Sequence, residues 1–239
     1  MTKSLKEKMA EGPVFGMTLY GGSPAIVEIL GHWGYDFAFL DAEHTPMGVD
    51  RDMEKLIMAA RLAGISALVR IPDVNAASIR KSFEMGAEGV IIPHVKTKGE
   101  VEACVQAARF PPDGRRGFDS TVRAARYGAK GYGHDEYFRT CGNNLVIPMA
   151  EDFEFTDNID DILDASGIDV INFGPSDYAL STNRKTFYDM RHPETQRIQA
   201  LIVEKAHKKG IKVMSPVLPP TLEDIRSARR AGVDMMVVG

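Results

Sequence analysis

Apolar residues along this chain follow two alternating rhythms. A stretch with helical spacing closes on a glycine, one or two residues pass, and a short unbroken apolar run begins. The junction recurs at Gly34-Tyr-Asp-Phe-Ala-Phe-Leu, Gly64-Ile-Ser-Ala-Leu-Val and Gly86-Ala-Glu-Gly-Val-Ile-Ile. It returns at Gly167-Ile-Asp-Val-Ile-Asn-Phe, Gly210-Ile-Lys-Val-Met and Gly232-Val-Asp-Met-Met-Val-Val. A glycine just past the last helical turn takes the left-handed backbone that stops a helix. The unbroken apolar run after it reads as a strand buried on both faces. Two further runs, Val14–Leu19 and residues 145–149, are strands without that entry. The pattern therefore predicts eight strands, each parted from the next by a helical segment. Alternating units of this number predict an α/β fold, a (β/α)8 barrel over residues 1–239, with right-handed crossovers. A doubly wound open sheet is the alternative. No GxGxxG follows the first strand, which weighs against a dinucleotide-binding sheet.

The helical segments carry the matching period. Residues 49–62 place Met53, Leu56, Ile57 and Ala60 on one face. Thr97-Lys-Gly-Glu100 reads as a capping box opening the helix that runs through Val101, Cys104, Val105 and Ala108. Ile198, Leu201 and Ile202, flanked by Lys205, mark the helix before Gly210. Two longer stretches interrupt the alternation. Residues 111–135 are glycine-rich and basic, and are expected to fold over the catalytic mouth; residues 181–192 follow the sixth strand and are polar. The last apolar run, 233–238, stops one residue short of Gly239, where a barrel would continue into a closing helix. Its outer face is then expected to be bare. Either further residues or a second copy of the chain would cover it.

Composition narrows the class. Hydrophobic residues make up 44% of 239 and charged ones 26%, ordinary for a globular protein with a sizeable core. The net charge is −4 with no basic cluster, so nucleic acid is not an expected partner. The polar start MTKSLKEKMAEG is no secretory leader, and the apolar runs are too short to span a bilayer, so a cytoplasmic protein away from membranes is expected. The two cysteines, Cys104 and Cys141, suggest neither a disulfide framework nor a zinc knuckle.

Barrel chemistry sits at the C-terminal ends of the strands. Those ends carry Tyr20-Gly-Gly-Ser, Asp41-Ala-Glu43-His44, Arg70, Pro93-His94, Glu151-Asp152, Gly174-Pro-Ser-Asp177 and Ser215-Pro-Val-Leu-Pro-Pro. Adjacent strands lie about 4.8 Å apart, so Glu151 and Asp177 are placed to share one small cation, completed by water. Two solvated loop acids would read the same. Asp41 three residues before His44 suggests a carboxylate orienting an imidazole for proton transfer, against a loop histidine with no role. Arg70 ends a run that should be buried, so it needs an anion: a substrate oxygen or a core carboxylate. Glu43 is expected to alternate away from Asp41 and serve structure. His94 is expected to pack.

Taken together, Asp41-Ala-Glu43-His44, Arg70, Phe83-Glu-Met-Gly-Ala-Glu-Gly-Val-Ile-Ile-Pro93, Arg109-Phe-Pro-Pro-Asp-Gly-Arg-Arg-Gly117, Glu151 and Gly174-Pro-Ser-Asp177 resemble the HpcH/HpaI aldolase family. The resemblance runs from residue 12 to residue 239. It implies a (β/α)8 barrel and a metal-dependent pyruvate aldolase of 4-hydroxy-2-oxo acids. It implies Glu151 and Asp177 as ligands of a divalent cation, Mg²⁺, Mn²⁺ or Co²⁺. It implies Arg70 on the pyruvate oxygen, His44 with Asp41 as the acid–base pair, and Gly174, Pro175 and Ser176 around the substrate carboxylate. Glu84 stands where relatives carry an aspartate that reaches a neighbouring subunit's site, and Met149 where some carry glutamine. A homo-oligomer, trimer or hexamer, is implied as well.

The expected reaction gives pyruvate, as its enolate, and an aldehyde. A Schiff-base route would need a lysine at a strand end. Lys212, the one lysine in an expected strand, lies at the wrong end. The alternatives are a citrate- or malyl-thioester lyase, an oxaloacetate decarboxylase, or a barrel that binds a 2-oxo acid without chemistry.

Overall fold

The computed structural model of the chain describes residues 3–183 and 189–238. The polar stretch 181–192 therefore falls partly outside the described residues. The eight strands are β1 (Val14–Leu19), β2 (Phe37–Asp41), β3 (Ser66–Arg70), β4 (Gly89–Ile92), β5 (Leu145–Ala150), β6 (Val170–Phe173), β7 (Lys212–Val217) and β8 (Met235–Val238). All pair in parallel with their neighbours in chain order, and β8 returns to β1, so the sheet closes as a barrel. Helices α1 (Leu5–Glu11), α2 (Pro24–His32), α3 (Arg51–Leu62), α4 (Ala76–Glu84) and α5 (Lys98–Ala108) serve the first half. Helices α6 (His134–Cys141), α7 (Phe153–Asp157), α8 (Ile159–Leu163), α9 (Pro175–Ser181), α10 (Pro193–Lys208) and α11 (Leu222–Arg230) serve the second. The fold is a (β/α)8 barrel.

Strand alternation sorts the core into two shells. Val14, Phe37, Phe39, Leu68, Ile91, Ile147, Met149, Val170 and Met214 point inward and fill the barrel, with Leu5 and Met9 of α1 plugging its strand-start end. Their neighbours, such as Ala38, Leu40, Val69, Val90, Val146 and Ile171, point outward against the helices. Gly16 makes room for this interior: a Cβ there would lie 2.2 Å from the Phe37 ring. The capping box at Thr97 forms as the sequence predicts, with Thr97 and Glu100 each taking the other's backbone N–H.

Two expectations change here. The segment 111–135 does not cover the mouth. Backbone bonds tie Arg115 to Gln106 and Arg116 to Arg109 at the end of α5, and Arg123 donates to the Met85 carbonyl just past α4. A segment that precedes a strand belongs at the strand-start end, which is where these anchors hold it. Nor is the outer face of β8 bare. Met236 and Val238 are buried together with Val217 and Val233, under partly buried Ile225 and Ala228 of α11 and Phe15 of β1. Among the described residues, no helix is long and apolar enough to cross a membrane.

Candidate active site

Inward parity delivers the site. Asp41 continues the inward set of Phe37 and Phe39, Arg70 that of Leu68, and Glu151 that of Ile147 and Met149. Each strand's last inward position thus becomes polar as the strand ends. Asp41 and Arg70 sit opposite each other in the β2–β3 register. Arg70 Nε and Nη2 donate to the two Asp41 oxygens at 2.8 and 2.7 Å, a bidentate pair buried in the wall. Its guanidinium lies over the Phe39 ring, 5.3 Å from the centroid. Burial works against ionised Asp41, but the Arg70 fork outweighs it and holds the carboxyl below its ordinary range.

This pairing alters the expected dyad. The Asp41 carboxylate is held by Arg70, and its remaining contacts are the backbone N–H groups of Glu43 and His44. It does not hold the imidazole. The acid nearest the His44 ring is Glu43, with Oε2 3.5 Å from Nε2. Glu43 lies past the end of β2, where a bend that donates its N–H back to Asp41 Oδ1 leaves its carboxylate in the mouth rather than turning it away. Its carboxylate also comes within 3.1 Å of Arg70 Nη1 and 3.4 Å of His94 Nε2.

His94, expected to pack, stands in the mouth. Its backbone takes the left-handed conformation, φ 53°, which costs a non-glycine residue on the order of 1 kcal/mol. That conformation aims its N–H at Glu151 Oε1, 2.6 Å away. Its ring Nδ1 meets Asp152 Oδ2 at 3.0 Å, while Lys96 sits 3.6 Å from the other Asp152 oxygen. Burial disfavours the imidazolium, but Asp152, Glu151 and Glu43 together raise the His94 pKa.

Glu151 is the buried centre, fully shielded from solvent. Burial pushes its carboxyl up to about 7, the charges of Glu43 and Asp177 add to the rise, and the His94 contacts oppose it. Glu43 is raised by burial too, against Arg70. Glu151 Oε2 has no hydrogen-bond partner among the described residues, whereas Glu43 Oε2 has the Arg70 guanidinium 3.1 Å away, outside hydrogen-bond geometry. Gly174 presses on this carboxylate: a Cβ there would lie 2.7 Å from Glu151 Cβ and 2.8 Å from Oε2. Donor atoms of Glu43, His94 and Glu151 lie within 4.8 Å of one another. Raised, close-set carboxylates, one of them with an unpartnered oxygen, are a donor set for a divalent cation.

Asp177 sits in the first turn of α9, half-buried and near enough to act on Glu151. That helix opens at Gly174 without a side-chain cap. The Gly174 N–H is spent on the Ala150 carbonyl and Pro175 has none, which leaves Ser176 to offer the next N–H outward. Glu84 is elsewhere. It ends α4, which runs back from the mouth, and its carboxylate lies 3.7 Å from Arg80. It takes no part in this chain's own mouth. A cavity of about 310 Å³ between Ser120, Tyr132, His134 and Tyr137 belongs to the same strand-start side.

Acids and a histidine gathered at the strand ends of a (β/α)8 barrel define an enzyme whose chemistry runs at the C-terminal mouth. Comparison with known proteins sharpens that class. The chain belongs to the HpcH/HpaI aldolase/citrate lyase family, whose model matches residues 15–239. It is 30% identical over 218 residues to the 5-keto-4-deoxy-D-glucarate aldolase of Shigella boydii, spanning 91% of this chain and 81% of that one. An HpcH/HpaI aldolase from Desulfitobacterium hafniense superposes with a TM-score of 0.88 at 27% identity, over 99% of this chain and 90% of the other. The citrate synthase SbnG superposes at 0.85 with 29% identity, over 99% and 90%. The protein is a carbon–carbon lyase.

Proposed function

We propose that the chain cleaves 4-hydroxy-2-oxo acids to pyruvate and an aldehyde, with a divalent cation at Glu151 and Asp177. The observation that carries this reading is the fully buried Glu151 carboxylate, with one oxygen left without a hydrogen-bond partner among the described residues. A bound cation supplies Lewis-acid polarisation of the 2-oxo acid. Glu151 and Asp177 would hold it. Arg70 is locked in place by Asp41, so its remaining N–H groups meet the keto oxygen and its negative charge as the C3–C4 bond breaks. Nothing in that guanidinium has to reorganise. The Ser176 N–H faces the substrate carboxylate. His44, exposed at the rim with Glu43 beside its ring, takes the 4-hydroxyl proton as the aldehyde leaves. Electrons of the broken bond pass to the pyruvate fragment, which later takes a proton at C3.

The experiment is a panel of 4-hydroxy-2-oxo acids, followed by pyruvate release, with and without EDTA. Pyruvate formation lost in EDTA and restored by Mg²⁺, Mn²⁺ or Co²⁺ is expected. Metal-independent cleavage, or none, overturns the reading. The likeness to a citrate synthase favours a second one, a citrate- or malyl-type thioester lyase. Protection by an acyl-CoA against thermal unfolding would select it. Assembly belongs with this proposal. Trp33 just past α2 and Leu62 at the end of α3 are 74% and 81% exposed, an apolar face suited to a second copy. In such a trimer or hexamer Glu84 would serve a neighbour's mouth. Light scattering is expected to give an oligomer, and an active monomer overturns this part.

A further inference from the structure

We infer that His94, held by Asp152, is a nitrogen ligand of the cation at Glu151, and that it selects a late first-row divalent metal over Mg²⁺. The inference rests on the metal reading above and specifies the chemistry of that site. Three observations carry it. The imidazole stands beside the carboxylates of the mouth: its Nε2 is 3.4 Å from Glu43 Oε1, and the donor atoms of Glu43, His94 and Glu151 all lie within 4.8 Å. The other ring nitrogen is committed, with Nδ1 3.0 Å from Asp152 Oδ2. A carboxylate on one nitrogen fixes the tautomer and turns the opposite lone pair outward, the arrangement that supports histidine ligands in metal sites. The backbone is bent to serve this placement, since His94 adopts φ 53° and spends its N–H on Glu151 Oε1. Glu151 is thereby left with Oε2 alone to offer.

The ligand type decides the consequence. Carboxylates and water suit Mg²⁺, whereas imidazole favours Co²⁺, Ni²⁺ and Zn²⁺, in line with the general order of divalent affinities. Lys96 faces Asp152 from the far side, and Arg70 faces Glu43.

The test uses metal-stripped protein, Co²⁺ and Mg²⁺ binding by competition titration, and proton NMR of the Co²⁺-loaded form. A coordinated imidazole carries a hyperfine-shifted, exchangeable N–H resonance, seen in H2O and lost in D2O. We expect it in the wild type and in His44→Gln, and expect its loss in His94→Gln. His94→Gln should weaken Co²⁺ about 10- to 100-fold and leave Mg²⁺ nearly unchanged. Asp152→Asn should keep the resonance and weaken Co²⁺ by less. A resonance that survives His94→Gln, or an unchanged Co²⁺ to Mg²⁺ ratio, overturns the inference. If Co²⁺ supports pyruvate release yet no shifted N–H is seen, the inference alone fails. If no divalent cation binds, the aldolase reading fails with it.

Discussion

At the strand-start end of the barrel, Asp36, Asp169 and Asp234 each accept a backbone N–H from the adjoining strand, from Phe15, Val146 and Val213 at 2.9, 3.0 and 2.9 Å. Each also faces a lysine, Lys8, Lys6 and Lys212, at 3.1, 2.7 and 2.9 Å, and Asp169 adds Arg109 at 2.9 Å. Glu88 takes the Ser66 hydroxyl and the Leu5 N–H in the same way. At the other end, Glu43 and Glu151 are as thoroughly enclosed, but Glu151 keeps Oε2 without a hydrogen-bond partner among the described residues, and Glu43 Oε2 has only the Arg70 guanidinium, at 3.1 Å and outside hydrogen-bond geometry. Both ends bury acids. At one end the acids are saturated and stitch strand to strand; at the other they are held short of saturation, and the shortfall is the site's capacity to bind. Burial of charge alone does not mark function. What marks it is the partner missing from an otherwise complete shell.

The largest effect expected from this contrast is on Glu151. Glu151→Gln should lower aldol activity by about 10³-fold or more, the scale of losing a key electrostatic group, while circular dichroism stays native. A variant that kept activity in saturating metal would erase the distinction between the ends. Next comes Arg70→Lys, which keeps the charge but loses the fork that grips Asp41. Activity should fall about 10²-fold, and unchanged competitive inhibition by pyruvate would count against Arg70 as the substrate's contact.

The raised Glu151 carboxyl gives a pH test in metal-free protein. Its pKa is about 7 when folded, above the ordinary carboxyl value of 4.5. The folded state therefore holds this proton more tightly than the unfolded chain. The stability this confers is complete below about pH 4.5 and is lost as pH rises through about 7, a change on the order of 3 kcal/mol. Denaturant midpoints of the wild type minus those of Glu151→Gln should show that slope, and a divalent cation at pH 8 should abolish it. A flat difference would mean the carboxyl is not strained. Asp169→Ala is the counterpart at the strand-start end. It strips a strand N–H and two cations of their partner, so about 2 kcal/mol of stability should go, with kcat per folded molecule untouched.

How far the sequence foretold these two ends follows from the range of the interactions involved. The glycine junctions and the alternation of apolar residues are local, and they predict all eight strands and the closed order β1 to β8. Glu43 was partly within reach, since a period of two returns it to the side of Asp41, although β2 ends at Asp41 and a bend places it. Reading it as turned away misapplied the period. The position of residues 111–135 also follows from topology, because the connection from the end of α5 to the start of β5 joins two points on the strand-start side. His94 was not legible. Its role depends on a left-handed backbone at a non-glycine residue and on Asp152 arriving from the next strand, and neither leaves a trace in local spacing. The Asp41–His44 pairing failed for the same reason: Arg70, across the β2–β3 register, claims the carboxylate first. The cover over β8 comes from α11, the helix just before it, and from Phe15 of β1 across the seam that closes the barrel, of which only the second is a long-range contact.

The smallest and most discriminating effect concerns two glycines, one near each end. Gly174 has an ordinary backbone, φ −103°, so a side chain there is opposed by space and not by torsion. Its new Cβ would meet Glu151 Cβ at 2.7 Å and Oε2 at 2.8 Å, and the carboxylate must turn or shift to admit it. Gly16→Ala meets only hydrocarbon, the Phe37 ring at 2.2 Å, deep in the apolar interior. Overpacking of either kind costs about 1–3 kcal/mol, so both variants should melt earlier. Only Gly174→Ala should also weaken cation binding, by about 10-fold or less, because only there is the displaced group an unpartnered donor. Calorimetric metal titration of the two variants separates the cases. If Gly16→Ala weakened the cation as much as Gly174→Ala, the site would depend on barrel packing in general. The unsatisfied carboxylate could then no longer be taken as its local cause.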